Sequence, residues 1–321
     1  MTLRTATVTL AALLLAPAAA RAQATVESGW ALDRFDTAPA GDGTFLAEHP
    51  RYARRWGWAA GLTMEYAASP LTLQRQYADG HVVDSRVLAS MLVAHLGASV
   101  TFVGRVGVDF ELPISLYQGG SEALLGTVVL APSGASVGDT RLGARVRLFG
   151  RASRDPFSMH LGAWLWLPTG SRAGNTGDGA VRVEPRLILA GAAGIFRWSV
   201  VGAVMFRREF DALNVAVGRE LRVTAAATFG LLGNKLRVGP EAYVVTPIRS
   251  LPDGSATAAF SSGQWGIEAL LGAQLAVRDG LFLGAAAGMG LQEAVGVPSA
   301  RLALSLTWRP ASDGGESAAS P

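Results

Sequence analysis

From Gly57 to Trp308 the chain is written in segments of about ten residues in which apolar side chains alternate with polar or small ones. In Arg301 to Trp308, Leu302, Leu304, Leu306 and Trp308 share one face, and Arg301, Ala303, Ser305 and Thr307 share the other. Side chains of a strand repeat every second residue, so such a segment presents one apolar and one polar surface. Thr140 to Phe149 sets Leu142, Val146 and Leu148 against Arg141, Arg145 and Arg147. The same separation recurs in Val181 to Leu189, Leu236 to Thr246 and Trp265 to Val277. A helix would scatter these charges round its circumference.

The pattern predicts strands near 57–66, 87–102, 105–116, 139–149, 157–168, 181–191, 196–207, 220–231, 235–246, 264–277, 281–291 and 300–308. Connections alternate between short (Val103 to Arg105, Gly150 to Pro156, Ala192 to Ile195, Leu232 to Asn234, Arg278 to Gly280) and long (Ala67 to Arg86, Tyr117 to Gly138, Thr169 to Ala180, Arg208 to Arg219, Pro247 to Gly263, Gln292 to Ser299). The expected fold is all-β: a transmembrane antiparallel up-and-down barrel of about 12 strands, with short periplasmic turns and longer extracellular loops. A soluble β-sandwich has no reason to alternate its connections so regularly. Aromatic residues near strand ends, Trp56, Trp58, Tyr66, Phe102, Tyr117, Phe149, Phe157, Trp198, Phe206, Phe229 and Trp308, fit the headgroup zone. Ordinary strand propensity would also enrich them.

The N-terminus reads as an export leader. Arg4 supplies the positive start, Val8 to Ala16 the apolar stretch, and Ala20-Arg21-Ala22 or Ala22-Gln23-Ala24 the small-x-small cleavage site. The apolar stretch is too short to span a bilayer. This divides the chain into a signal peptide (1–24, cleaved after Ala22 or Ala24), an N-terminal segment (25–55), the barrel (56–308) and a disordered tail (309–321). The segment 25–55 is assigned to the periplasm, with a plug inside the barrel as the other reading. The expected location is the outer membrane of a Gram-negative-type envelope.

Composition adds exclusions. There is no cysteine, hence no disulfide or thiolate metal site. The net charge is +3, and the basic residues are dispersed along the strands, which argues against nucleic acid as a partner. The expected partners are outer-membrane lipid, the barrel-assembly machinery during insertion and, as candidates, small solutes. No cofactor is expected.

Three stretches, GDTRLGARVRLFG at Gly138 to Gly150, LGAWLWLPTGS at Leu161 to Ser171 and GDGAVRVEPRL at Gly177 to Leu187, join RFDTAPAGDGTFL at Arg34 to Leu46. Together they resemble the barrel region of a group of OmpA-like outer-membrane proteins. The Leu-Pro-Thr-Gly run and the later Pro-x-Leu also resemble the barrel family named for meta-pathway phenol degradation, which implies a transporter. No peptidoglycan-binding domain follows Pro321 in this sequence. The resemblance carries over no site residues.

Chemistry is sparse. His95 and His160 lie inside predicted strands and point inward. Pairing His95 with Ser90 or Ser99 fails on strand geometry, so an interior structural histidine is expected and no catalytic residue is assigned. Gly177-Asp178-Gly179 lacks the spaced carboxylates of a calcium loop and reads as a turn. The lumen-facing candidates are Glu65, Asp109, Glu111, Arg141, Arg145, Arg147, Arg182, Glu184, Arg186, Arg222, Arg237, Glu241 and Glu268. Read one way, they form a hydrated, arginine-rich passive channel for small solutes, and reversing Arg145 and Arg186 to glutamate lowers anion flux. Read the other way, they pair off in an occluded structural or surface-interaction barrel. Arginines paired throughout would count against the open channel. A lipid-acting barrel enzyme is the third and weakest reading.

Overall fold

The computed structural model describes residues 27–76, 79–125, 128–212, 215–248, 260, 265–292 and 294–310. Residues 1–24, read from the sequence as a signal peptide, and residues 311–321 of the expected tail lie outside them.

Twelve antiparallel strands close into a barrel: β1 (Trp56–Gln76), β2 (Val82–Phe102), β3 (Val106–Gly119), β4 (Arg141–Phe149), β5 (Ser158–Trp166), β6 (Arg182–Ala193), β7 (Phe196–Met205), β8 (Glu220–Leu231), β9 (Leu236–Pro247), β10 (Gly266–Arg278), β11 (Leu281–Gln292) and β12 (Ala300–Trp308). Each pairs with its neighbour in sequence. The ring closes where β12 meets β1, from Ala300 opposite Ala68 to Trp308 opposite Ala60. Closure leaves no barrel strand with an unpaired edge, a requirement for a sheet surrounded by hydrocarbon.

All twelve predicted strands are present. In β12 the alternation is literal: Arg301 and Ala303 are buried, while Leu302, Leu304 and Leu306 are exposed to the surroundings. The outward band also includes Leu142, Val146, Val183, Leu187, Leu271 and Leu275. Aromatic rings collect at the short-turn end, where Phe149 meets Phe157 at 5.7 Å, Phe157 meets Trp198 at 6.0 Å and Phe196 meets Phe229 at 5.2 Å between centroids. The tight turns use the left-handed backbone region. Val103 and Gly104 (φ 48° and 66°) turn β2 into β3.

The first hairpin departs from expectation. Ala67 to Arg86 reads as a long loop between the first two strands. The strands instead run on to Gln76 and from Val82. A bulge absorbs the interruption: Ala68 lies opposite Ser90 and Leu71 opposite Leu88, with Ser69 at φ 48°. One extra residue on the bulged strand re-aims the ladder without ending it.

The larger departure concerns the segment assigned to the periplasm. Residues 29–55 run through the barrel from one end to the other. At the long-loop end, Trp30 and Leu32 are buried against Leu71, Val87, Leu88 and Leu130. At the short-turn end, the Arg55 carbonyl accepts from Val103 N–H at 2.8 Å, and the Ala53 carbonyl accepts from Gly104 N–H at 2.9 Å. The physical reason is charge. This segment carries Asp33, Asp36, Asp42 and Glu48, which find arginines on the inner wall. Its apolar side chains find gaps there. Phe45 lies over Gly272 and Gly284, where a β-carbon would approach its ring to 3.0 Å.

Candidate functional site

The filled lumen is the candidate site, and it is built in three tiers. In the first, below the apolar cap, Ala31 N–H donates to Asp178 Oδ1 at 3.1 Å, and Arg207 holds the same carboxylate at 2.8 and 2.6 Å. Asp178 sits in the connection between β5 and β6. Burial raises its carboxyl, but the Arg207 and Arg182 guanidiniums outweigh that and hold it below the usual carboxylate range. The Gly-Asp-Gly turn thus anchors the interior segment. Arg34 completes this tier by donating to Glu220 at 2.5 Å.

In the middle tier, Arg301 donates to Glu268 at 2.6 Å, pairs with Glu65 and lies 3.5 Å from Asp33. Its guanidinium sits 4.8 Å from the centre of the Phe35 ring. His95 places Nδ1 3.0 Å from Glu111 and Nε2 3.3 Å from Glu65. A carboxylate therefore faces each nitrogen of the ring. Arg141 joins Glu111 and donates to the Thr37 carbonyl at 2.5 Å. Asp36 pairs with Arg222.

In the third tier, Arg145 grips Asp42 at 2.5 and 2.9 Å, with Asp109 at 3.2 Å and Glu48 at 3.5 Å. Glu48 also pairs with Arg186 and accepts from Trp164 Nε1 at 3.2 Å. Across the lumen, Glu241 accepts backbone N–H groups of Phe45 at 2.8 Å and Leu46 at 2.7 Å. These bonds fix the chain where it turns.

Of the thirteen lumen candidates, Glu65, Asp109, Glu111, Arg141, Arg145, Arg182, Glu184, Arg222, Glu241 and Glu268 are buried. Arg186 is partly buried in the same network. Arg147 and Arg237 are half-buried nearer the short-turn end. Arg182 pairs with Asp139 at 3.1 Å and Arg186 with Glu184. The wall arginines Arg141, Arg145, Arg182, Arg186 and Arg222 therefore each have a carboxylate partner, which counts against an open arginine-lined bore. A buried charge without one would cost several kcal/mol.

Several members escape sequence reasoning. Arg301 is visible on the polar face of its strand, yet its central place emerges only from closure. Asp33, Asp36, Asp42 and Glu48 lie in a segment without period. Trp164 and Trp166 sit in a quoted motif, and their inward rings pack at 4.4 Å from Arg141 and 5.2 Å from Arg182, respectively.

The enzyme reading gains a closer look from β5. Ser158 Oγ lies 3.0 Å from His160 Nε2, and His160 Nδ1 lies 3.2 Å from Tyr52 Oη. The Ser158 hydroxyl, however, donates to the Ala190 carbonyl at 2.7 Å and is fully buried. Its proton is directed away from the imidazole, so the arrangement is that of a satisfied polar network. Ser99, the other hydroxyl considered, donates to Asp109 at 2.6 Å. Asp33, Glu65 and His95 bring three ligand-type atoms within 4.8 Å of one another. Arg301 already occupies that site as its counter-cation.

Comparison with solved structures gives the same architecture. An outer-membrane channel from Pseudomonas putida F1 superposes with a TM-score of 0.56 at 15% identity, covering 85% of this chain and 100% of that one. The NanC porin gives 0.48 at 7% identity, covering 78% and 97%. No characterised protein matches by sequence. The family described as "Putative MetA-pathway of phenol degradation" matches residues 31–307, and on that span, nearly the whole barrel and its interior segment, the chain belongs to this family.

Proposed function

We propose that this protein is a passive outer-membrane channel for small solutes, closed in the conformation seen by its own residues 29–55. The observation that carries the reading is the nature of the filling. It is not a barrel strand and is held by hydrogen bonds and ion pairs from side chains of the wall, such as Glu241 and Arg145. Interactions of that kind exchange for water and counter-ions when the segment moves. The family and the likeness to a channel barrel support the same direction. The wall is of intermediate width: eight-stranded barrels are filled by side chains, while sixteen-stranded porins leave a wide channel. Twelve strands enclose room for one extra chain, and its displacement vacates a bore.

The apolar cap round Trp30 and Leu32 favours the second reading, a permanently occluded structural or surface-interaction barrel. Solute flux into liposomes carrying the refolded mature protein separates the two. The folded barrel is first verified by its heat-modifiable gel mobility. The channel reading expects measurable flux that rises when the grip on the segment is weakened. A folded barrel that passes no small solute, with the grip intact or weakened, leaves the structural reading.

A further inference from the structure

We propose that the outer rim of the barrel at its short-turn end, over β10, β12, β1 and β2, is a docking belt for the head groups of anionic phospholipids. The two ends of the barrel differ in charge. At the short turns Arg54, Arg55, Arg105, Arg151, Lys235 and Arg278 are exposed, with Asp155 and Asp279 as the acids beside them. The chain after Pro310 adds Asp313 and Glu316, which leaves the excess positive. At the long loops, among the described residues, Arg86, Arg208 and Arg219 are met by Asp79, Asp84, Glu122 and Glu209. The positive excess is not taken up by the bore. Arg147, half-buried at the same end, donates its N–H to the Arg105 carbonyl at 2.8 Å, so the two are cross-strand neighbours. The charges that act on it most strongly are those of Arg151 and Arg105, and both repel it. Like charges so placed are destabilising, and an anion from outside the chain relieves them.

The aromatic residues of this rim place the belt on the lipid side. The Arg278 guanidinium lies 5.4 Å from the centre of the Trp308 ring. Trp308 continues the outward row of Leu302, Leu304 and Leu306, so this cation stands outside the wall. On the neighbouring β1, Trp56 and Trp58 are exposed, and Phe102 of β2 lies opposite Trp56. Arg54 and Arg55 directly precede Trp56, and Arg105 follows Phe102 round the turn. Just inside these rings, Ala60 lies opposite Ala98, with Trp308 on one side of the pair and Phe110 on the other. Two small residues between two large ones leave a dip in the outer surface that an acyl chain can fill. Indole rings favour the level of the head groups, and arginines beside them add attraction for an anionic lipid surface. A zwitterionic head group would bring its ammonium to the same arginines, with few acids to receive it. The belt lies outside the wall, so it holds whether or not the bore opens.

The test is tryptophan quenching in the refolded full mature protein, reconstituted in phosphatidylcholine vesicles at about 50 mM salt, where screening is moderate. The quencher is phosphatidylglycerol or phosphatidylcholine, brominated on matching acyl chains. Trp56, Trp58 and Trp308 report the belt, while the buried Trp30, Trp164 and Trp166 give a constant background. Brominated phosphatidylglycerol should be preferred over brominated phosphatidylcholine at least ~5-fold. Arg105→Gln combined with Arg278→Gln should bring that ratio close to one. Arg86→Gln combined with Arg208→Gln removes the same charge from the opposite end and should leave it unchanged. All four arginines are exposed, and heat-modifiable mobility verifies the fold of each variant. Equal quenching by the two lipids overturns the proposal. So does a preference that survives Arg105→Gln with Arg278→Gln, or one that the opposite-end variant loses to the same extent.

Discussion

Replacing Glu241 by glutamine loosens the interior segment at its best-defined hold. The Glu241 carboxylate accepts Phe45 N–H at 2.8 Å on one oxygen and Leu46 N–H at 2.7 Å on the other. Glutamine keeps one acceptor oxygen and turns an amide NH2 toward the second N–H. A hydrogen bond to a charged acceptor contributes about 1.5–3 kcal/mol, and a neutral one about 1. Losing one bond and neutralising the other therefore costs the seated state about 2–5 kcal/mol. At about 1.4 kcal/mol per factor of ten, the released population grows at least ~30-fold and at most ~4,000-fold. Flux of a small neutral solute into liposomes scales with that population, so the initial rate should rise by a similar factor. The barrel ladder between β8, β9 and β10 is unchanged by this substitution, and heat-modifiable mobility should be retained. Flux equal to that of the unaltered protein, from a folded Glu241→Gln barrel, would refute the claim that this grip holds the closed state.

Reversal of Arg145 and Arg186 to glutamate now carries the opposite expectation from the one read off the sequence. Both arginines hold acids of the interior segment, Asp42 and Glu48, so reversal repels the segment. Breaking a buried pair costs about 3–5 kcal/mol. Liposome assays should show flux increasing, for neutral solutes as for anions. Asp178 gives a pH dependence. Its folded-state carboxyl lies below its usual range, so its contribution is present above the unfolded value of about 3.9 and is lost as pH falls through the depressed value. The unfolding midpoint in detergent should drop between pH 5 and pH 2, and Asp178→Asn should flatten part of that slope. An identical slope in the variant would assign the acid sensitivity to other carboxylates.

The strands were legible because a barrel imposes one rule on every segment: lipid outside, polar groups inside. Leu302, Leu304 and Leu306 announce the outer face by repetition alone. The extensions of β1 and β2 into Ala67 to Arg86 were missed, because the bulge at Ser69-Pro70 interrupts the alternation and only the opposing strand reveals that the ladder continues. The interior segment was legible only as one of two readings, periplasmic segment or plug, and its contacts were not legible at all. Asp42 meets Arg145, and Phe45 meets Glu241, across separations of 103 and 196 residues. A segment fitted to an irregular bore has no period of its own, so nothing local marks it as buried. The wall residues were found one by one as inward-facing, while their partners were hidden in the stretch that lacked a pattern. Glycine on inward strand positions was the available signal, since Gly272 and Gly284 make room for Phe45.

The most direct test locks the segment in place. The chain has no cysteine, so a pair can be introduced without competition. Ala40 and Gly61 suit it: a β-carbon on Gly61 would lie 3.7 Å from that of Ala40, within the span a disulfide bridges. With Ala40→Cys and Gly61→Cys in one protein, mild oxidation of the folded barrel should form the bond, abolish solute flux and leave it restorable by reductant. Flux that persists unchanged with the bond formed, or a pair that never oxidises in the folded barrel, would contradict closure by residues 29–55.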